Sequence, residues 1–85
     1  MAADLLCSGT FQLRFHDYES AREAGRDAGA VGFAAKLADE KAAGWSLAVT
    51  RRSQPFPRDE EGRYSGRLRA IAATHRGAYE GFIED

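Results

Sequence analysis

The chain has no asparagine, a single cysteine, two prolines and one tryptophan, and nowhere a long uninterrupted apolar run. Each scarcity removes a class of function. Cys7 alone closes no intramolecular disulfide, and no CxxC or Cys/His spacing outlines a zinc site. That usage fits a reducing compartment, the cytoplasm. Neither sign of charge dominates: 12 Lys+Arg against 13 Asp+Glu leave a net charge of −1. The dense positive field that non-specific nucleic-acid binding uses is therefore missing. The opening MAADLLCSGT has no positive n-region, and its apolar stretch is too short for a signal peptide or a membrane span. Residues 1–9 read as a partly ordered lead-in to a single domain over residues 10–85. A domain of this size buries only about 60% of its unfolded surface, so its core has to be built from few side chains. The richness in Ala, Gly and Arg fits a GC-rich bacterial genome.

What is present is periodic. TFQLRFH (10–16) alternates Phe11, Leu13 and Phe15 with polar residues, a half-buried strand. Asp17 then caps a helix from about Tyr18 to Ala28, whose small stripe of Ala21, Ala24, Gly25 and Ala28 allows close approach to a sheet, with Gly29 and Gly32 as stop signals. VGFAAKLADE and WSLAVTRR form a hairpin with Val31, Phe33, Ala35, Leu37, Trp45, Leu47 and Val49 facing inward. SQPFPRD (53–59) holds both prolines and reads as the loop. Tyr64, Leu68, Ile71, Ala72 and His75 then make the stripe of a second helix, with Asp59, Glu60 and Glu61 in its first turn and Gly77 at its end. The last strand, AYEGFIE, sets Tyr79, Gly81 and Ile83 inward against Glu80 and Phe82.

The order β-α-β-β-α-β is that of an α+β ferredoxin-like sandwich: a four-stranded antiparallel sheet, order 4-1-3-2, with two helices on one face. In that arrangement the last strand closes the sheet beside the first. Acylphosphatases share the topology, but their chemistry needs an asparagine, and this chain has none.

The segments GTFQLRFHDYESARE, AAGWSLAVTRR and LRAIAATHRGAYEGF resemble the small bacterial domains of the ribonuclease E inhibitor protein B family over about residues 10–84. In that family a closing Gly-x-Tyr-Asp/Glu-Gly-Trp-like strand ends the domain; Phe82 stands here where tryptophan is usual, and the acidic N-terminal extension of some members is missing. The resemblance implies a non-enzymatic regulator that binds the degradosome-forming endoribonuclease and lowers its activity by occupancy.

The residues that could carry chemistry favour structural roles. His16 and His75 are the residue type from which general acid–base catalysis starts, yet neither has a partner at a telling spacing. GRDAGAVG lacks the GxGxxG spacing that cradles phosphate, and the acids of DEEGR, consecutive on a helical turn, diverge instead of converging on a metal. No catalytic residue, cofactor or metal ligand is expected. Alternation instead assigns Thr10, Gln12, Arg14, His16, Lys36, Ser46, Thr50, Arg52, Glu80 and Phe82 to the sheet face away from the helices. Of these, Arg14, Lys36, Arg52, Glu80 and Phe82 are the candidate partner-binding residues, since arginine and aromatics anchor protein interfaces. The same face reads equally as a solvated surface with an Arg14–Glu80 cross-strand pair. Two other functions remain open. One is a homodimeric small-molecule-binding module of the ACT or dimeric α+β type. The other is a divergent RNA-binding domain, although Phe82 alone offers a ring for base stacking where two or three are usual. Lys36, Glu80 and Glu84 blunt the outer strands, which suits a monomer or a weak homodimer.

Overall fold

The structure, a computed structural model, describes residues 5–85. The first four residues of the lead-in lie outside the described range. Six strands and two helices follow one another as β1 (Leu6–Cys7), β2 (Gly9–Phe15), α1 (Tyr18–Ala30), β3 (Phe33–Asp39), β4 (Trp45–Arg51), β5 (Phe56–Pro57), α2 (Glu61–Thr74) and β6 (Ala78–Glu84). The protein is thus α+β, with one antiparallel sheet of four strands and a separate two-stranded ribbon. The ribbon corrects the expected strand count. Counted over all six strands the larger sheet reads β3-β4-β2-β6, where four strands in the order 4-1-3-2 were expected. The extra strands arise because Leu6–Cys7, in the lead-in, pairs with Phe56–Pro57, in what the prolines marked as a loop.

Both helices pack on one face of the sheet. Asp17 caps α1 as its position suggested, its Oδ2 accepting from the Ser20 N–H at 3.4 Å. Ala21, Ala24 and Ala28 are buried, so the helix axis lies close over β3 and β4. Helix α1 runs through Gly29, and it is Gly32, at φ 93°, that turns the chain into β3. Helix α2 buries Ser65, Leu68 and Ala72. Of the acids placed in its first turn only Glu61 lies in the helix, because Asp59 and Glu60 belong to a preceding 3₁₀ turn.

The end of α2 also differs from the sequence reading. Arg76, at φ 62°, takes the left-handed position, the Arg76 N–H donates to Ala73 O at 3.2 Å and the Gly77 N–H to Ala72 O at 2.7 Å, the bond pair of a Schellman cap. Gly77 serves a different need. A Cβ there would stand 2.3 Å from the Phe15 ring and 2.7 Å from the Arg14 carbonyl.

Strand β6 breaks its own alternation. Gly81 pairs with Gln12 and Tyr79 with Leu13, which leaves Glu80 as an extra residue without a partner. That is a β-bulge, and Gly81 at φ 133° supplies the backbone angle it requires. Beyond the bulge every side chain changes face. Phe82, expected outward, lies opposite Phe11 with ring centres 4.6 Å apart, and Ile83, expected inward, is 61% exposed. The core centres on Phe11, which also meets Phe33 at 6.1 Å and Phe56 at 6.3 Å. Phe56 in turn packs edge-on to Tyr64 at 5.1 Å.

Candidate protein-binding face

With both helices on one side, none of the described residues forms a layer over the other side of the four-stranded sheet. Its residues follow from the strand register. Gln12 stands between Ala48 and Gly81, Arg14 between Ser46 and Ala78, and Thr10 beside Ile83. On the outer side of β4, Lys36 faces Ala48, Ala34 faces Thr50 and Ala38 faces Ser46. The surface is therefore flat and rich in short side chains. The alanines occupy alternate positions of β3 and β4, so a period of two alone places them on this face.

The five candidate partner-binding residues separate into three groups. Arg14 and Glu80 meet on the open face, Arg14 Nε donating to Glu80 Oε2 at 2.9 Å, and Arg14 Nη1 reaches Ala43 O at 3.2 Å. The hydrogen bond to Glu80 raises the pKa of this guanidinium further above its ordinary value. Being exposed, the pair adds little to stability. Lys36 is exposed on the same face beside Thr10, Ala34, Ala48 and Thr50, which line a depression of about 280 Å³.

Arg52 and Phe82 do not join them. The chain leaves the sheet after Arg51, the Arg52 N–H donates to Gly32 O at 3.2 Å, and Arg52 Nη2 lies 3.6 Å from where a Cβ on Gly29 would be. Its guanidinium therefore sits by the C-terminal turn of α1, where a cation is favoured by the helix dipole. The bulge turns Phe82 into the core, so among the described residues no aromatic ring stands on the open face. An RNA-binding sheet stacks bases on such rings, so the face lacks what that reading needs.

Most of the remaining chemical side chains have structural partners. His75 Nε2 lies 2.6 Å from Asp27 Oδ2, joining α2 to α1, whereas His16 is exposed just past β2. The buried Ser65 hydroxyl bonds the Glu61 carboxylate and lies 2.8 Å from the Tyr79 hydroxyl, fastening α2 to β6. Burial pushes the Cys7 thiol above its ordinary pKa, with the nearby Arg58 only partly opposing the shift, so thiolate is scarce. Trp45 packs edge-on to Tyr18 at 5.1 Å, and the Arg69 guanidinium lies 4.9 Å from the Tyr79 ring centre. Among the described residues no group of three or more His, Cys, Asp and Glu is placed to hold a metal, and no helix is long and apolar enough to cross a membrane.

Compared with family models, curated proteins and solved structures, the chain matches none.

Proposed function

We propose that the chain is a ferredoxin-like βαββαβ sandwich that works as a non-enzymatic, protein-binding regulator in the bacterial cytoplasm, docking its partner on the open face of the sheet. The observation that carries this reading is the face itself: four strands without a covering layer among the described residues, short side chains over the middle, and Ile83 61% exposed at one edge. Flat surfaces of this kind suit another protein better than a small molecule, because they offer area and an apolar anchor and no enclosure. Arg14 and Lys36 set charge around the patch. The resemblance in residues 10–84 nominates the partner, a ribonuclease E-type endoribonuclease, and the mechanism is occupancy, in which the bound domain covers nuclease or scaffold surface that RNA or other subunits would use.

Calorimetry of the full chain with ribonuclease E from the same bacterium tests this. An Ile83→Asp substitution on the exposed side of β6 should weaken binding about tenfold or more if Ile83 is an interface anchor. No heat of binding, or an unchanged affinity for the variant, contradicts the proposal.

The short side chains of the same face also favour a second reading, a homodimer that pairs face to face as ACT-like and other dimeric α+β modules do. Sedimentation equilibrium separates the two, since that class needs a stable dimer and an occupancy regulator works as a monomer.

A further inference from the structure

The helix side of the molecule holds a feature independent of the open face. Val31, Phe33, Arg51, Arg63, Tyr64 and Arg67 line a cavity of about 300 Å³ where the end of β4 meets α2. That volume lies at the lower end of the range of about 300–1,000 Å³ typical of small-molecule sites. Half of its lining is arginine.

Arg51 is held in one position. Its Nη1 donates to Val31 O at 3.1 Å, and its guanidinium carbon lies 5.0 Å from the centre of the Phe33 ring and 4.5 Å from that of Tyr64. Gly32 makes room for it, since a Cβ there would stand 2.8 Å from Nη1. Its Nε is buried without a hydrogen-bond partner. The Arg63 guanidinium also lies by the Tyr64 ring, 5.6 Å from its centre, and pairs with Glu60 at 2.6 Å. Arg67 is exposed and has no ion pair or hydrogen bond among the described residues. Three guanidiniums thus share one carboxylate, and two positive charges beside one cavity go unanswered. Holding like charges together is unfavourable unless an anion joins them, and the guanidinium fork matches tetrahedral oxyanions through paired N–H donors.

We propose that this cavity binds the phosphoryl group of a small phosphate compound, with Arg51 as the fixed fork, Arg67 and Arg63 closing on the anion from α2, and the Tyr64 ring beside the attached organic part. A dianion answers the two unpaired charges. A nucleic-acid backbone fits less well, because the cationic cluster is confined to one cavity and Asp27 lines the groove that continues from Arg67. The chain as a whole carries a net charge of −1. Binding here does not depend on the open face, so either proposal can fail without the other.

The test is an NMR titration of the full chain in phosphate-free, low-salt buffer, following arginine Nε–H and backbone signals. Inorganic phosphate and adenosine monophosphate are the two probes. The expected result is saturable shifts at Arg51, Arg67 and Tyr64, with Arg67→Gln weakening the affinity about tenfold, as loss of one charge-assisted bond does. Arg51→Lys, which keeps the charge and loses the fork, should weaken it too. Tighter binding of the monophosphate with a Tyr64 shift assigns the site to an ester, and equal binding assigns it to free phosphate. Shifts that never saturate and spread over all cations overturn the proposal. So does an Arg67→Gln protein with unchanged affinity, or a short single-stranded RNA that binds more tightly than the mononucleotide with shifts across the sheet.

Discussion

Three glycines occupy neighbouring parts of the molecule for different reasons, and substitution separates them. Gly66 lies inside α2, and nothing comes within 4 Å of where its Cβ would be. Gly66→Ala should therefore stabilise the protein by about 0.5–1 kcal/mol by restricting the unfolded chain, seen as a raised urea midpoint at constant slope. Gly77→Ala does the opposite. Its methyl would collide with the Phe15 ring at 2.3 Å and with the Arg14 carbonyl at 2.7 Å, and overpacking against backbone should cost about 1–3 kcal/mol. Gly81, at φ 133°, has open space around it, so its role is conformational.

That one residue decides how β6 presents its side chains. With the bulge, Phe82 packs on Phe11 and Phe56 while Ile83 faces solvent. Phe82→Ala should then destabilise by about 2–4 kcal/mol, somewhat less than the loss of a fully buried ring, whereas Ile83→Ala should change stability by less than about 1 kcal/mol. Strict alternation would reverse the order of the two effects in denaturant unfolding. Sequence patterning carried β2, β3, β4 and α1 because their periods of two or 3.6 run unbroken from end to end. It failed where one residue resets the period, at Glu80, and where burial comes from a distant partner. Phe56, between two prolines, is buried only because β5 pairs with β1 and meets Tyr64. Arg52 looked like a strand residue because it follows TR in the alternating run, yet the strand stops at Arg51. Of the candidate face, Arg14, Lys36 and Glu80 were legible, and Ile83 was hidden by the bulge.

The ends of the described chain are fastened by a carboxylate. Arg58 grips Glu84 through a fork, Nη1 to Oε1 at 2.9 Å and Nη2 to Oε2 at 2.6 Å, while Nη2 also lies 3.3 Å from Leu6 O, joining β6, the ribbon and the turn before α2. The hydrogen bond from Arg58 holds the Glu84 carboxyl below its ordinary pKa. A carboxylate lowered in the folded state stabilises fully above the ordinary carboxylate value and loses that contribution as pH falls through the lowered one. Glu84→Gln should therefore flatten the acid side of the stability profile, and added salt should diminish the same contribution in the parent protein, because the pair is exposed.

At the scale of the whole molecule the two faces have different chemistry. The helix side gathers arginines around Tyr64, and the sheet side offers short alanine and threonine side chains, the Arg14–Glu80 pair, Lys36 and the exposed Ile83. A domain this small has little surface to spare, so its uncovered sheet is the centre of the functional account. The measurement that tests it most directly is a backbone NMR titration of the labelled chain with the proposed partner, a ribonuclease E-type endoribonuclease. Shifts or broadening concentrated at Thr10, Gln12, Arg14, Lys36, Ala48 and Ile83, with α1 and α2 unaffected, are what the account predicts. No change at saturating nuclease, or changes confined to the helices, would contradict it.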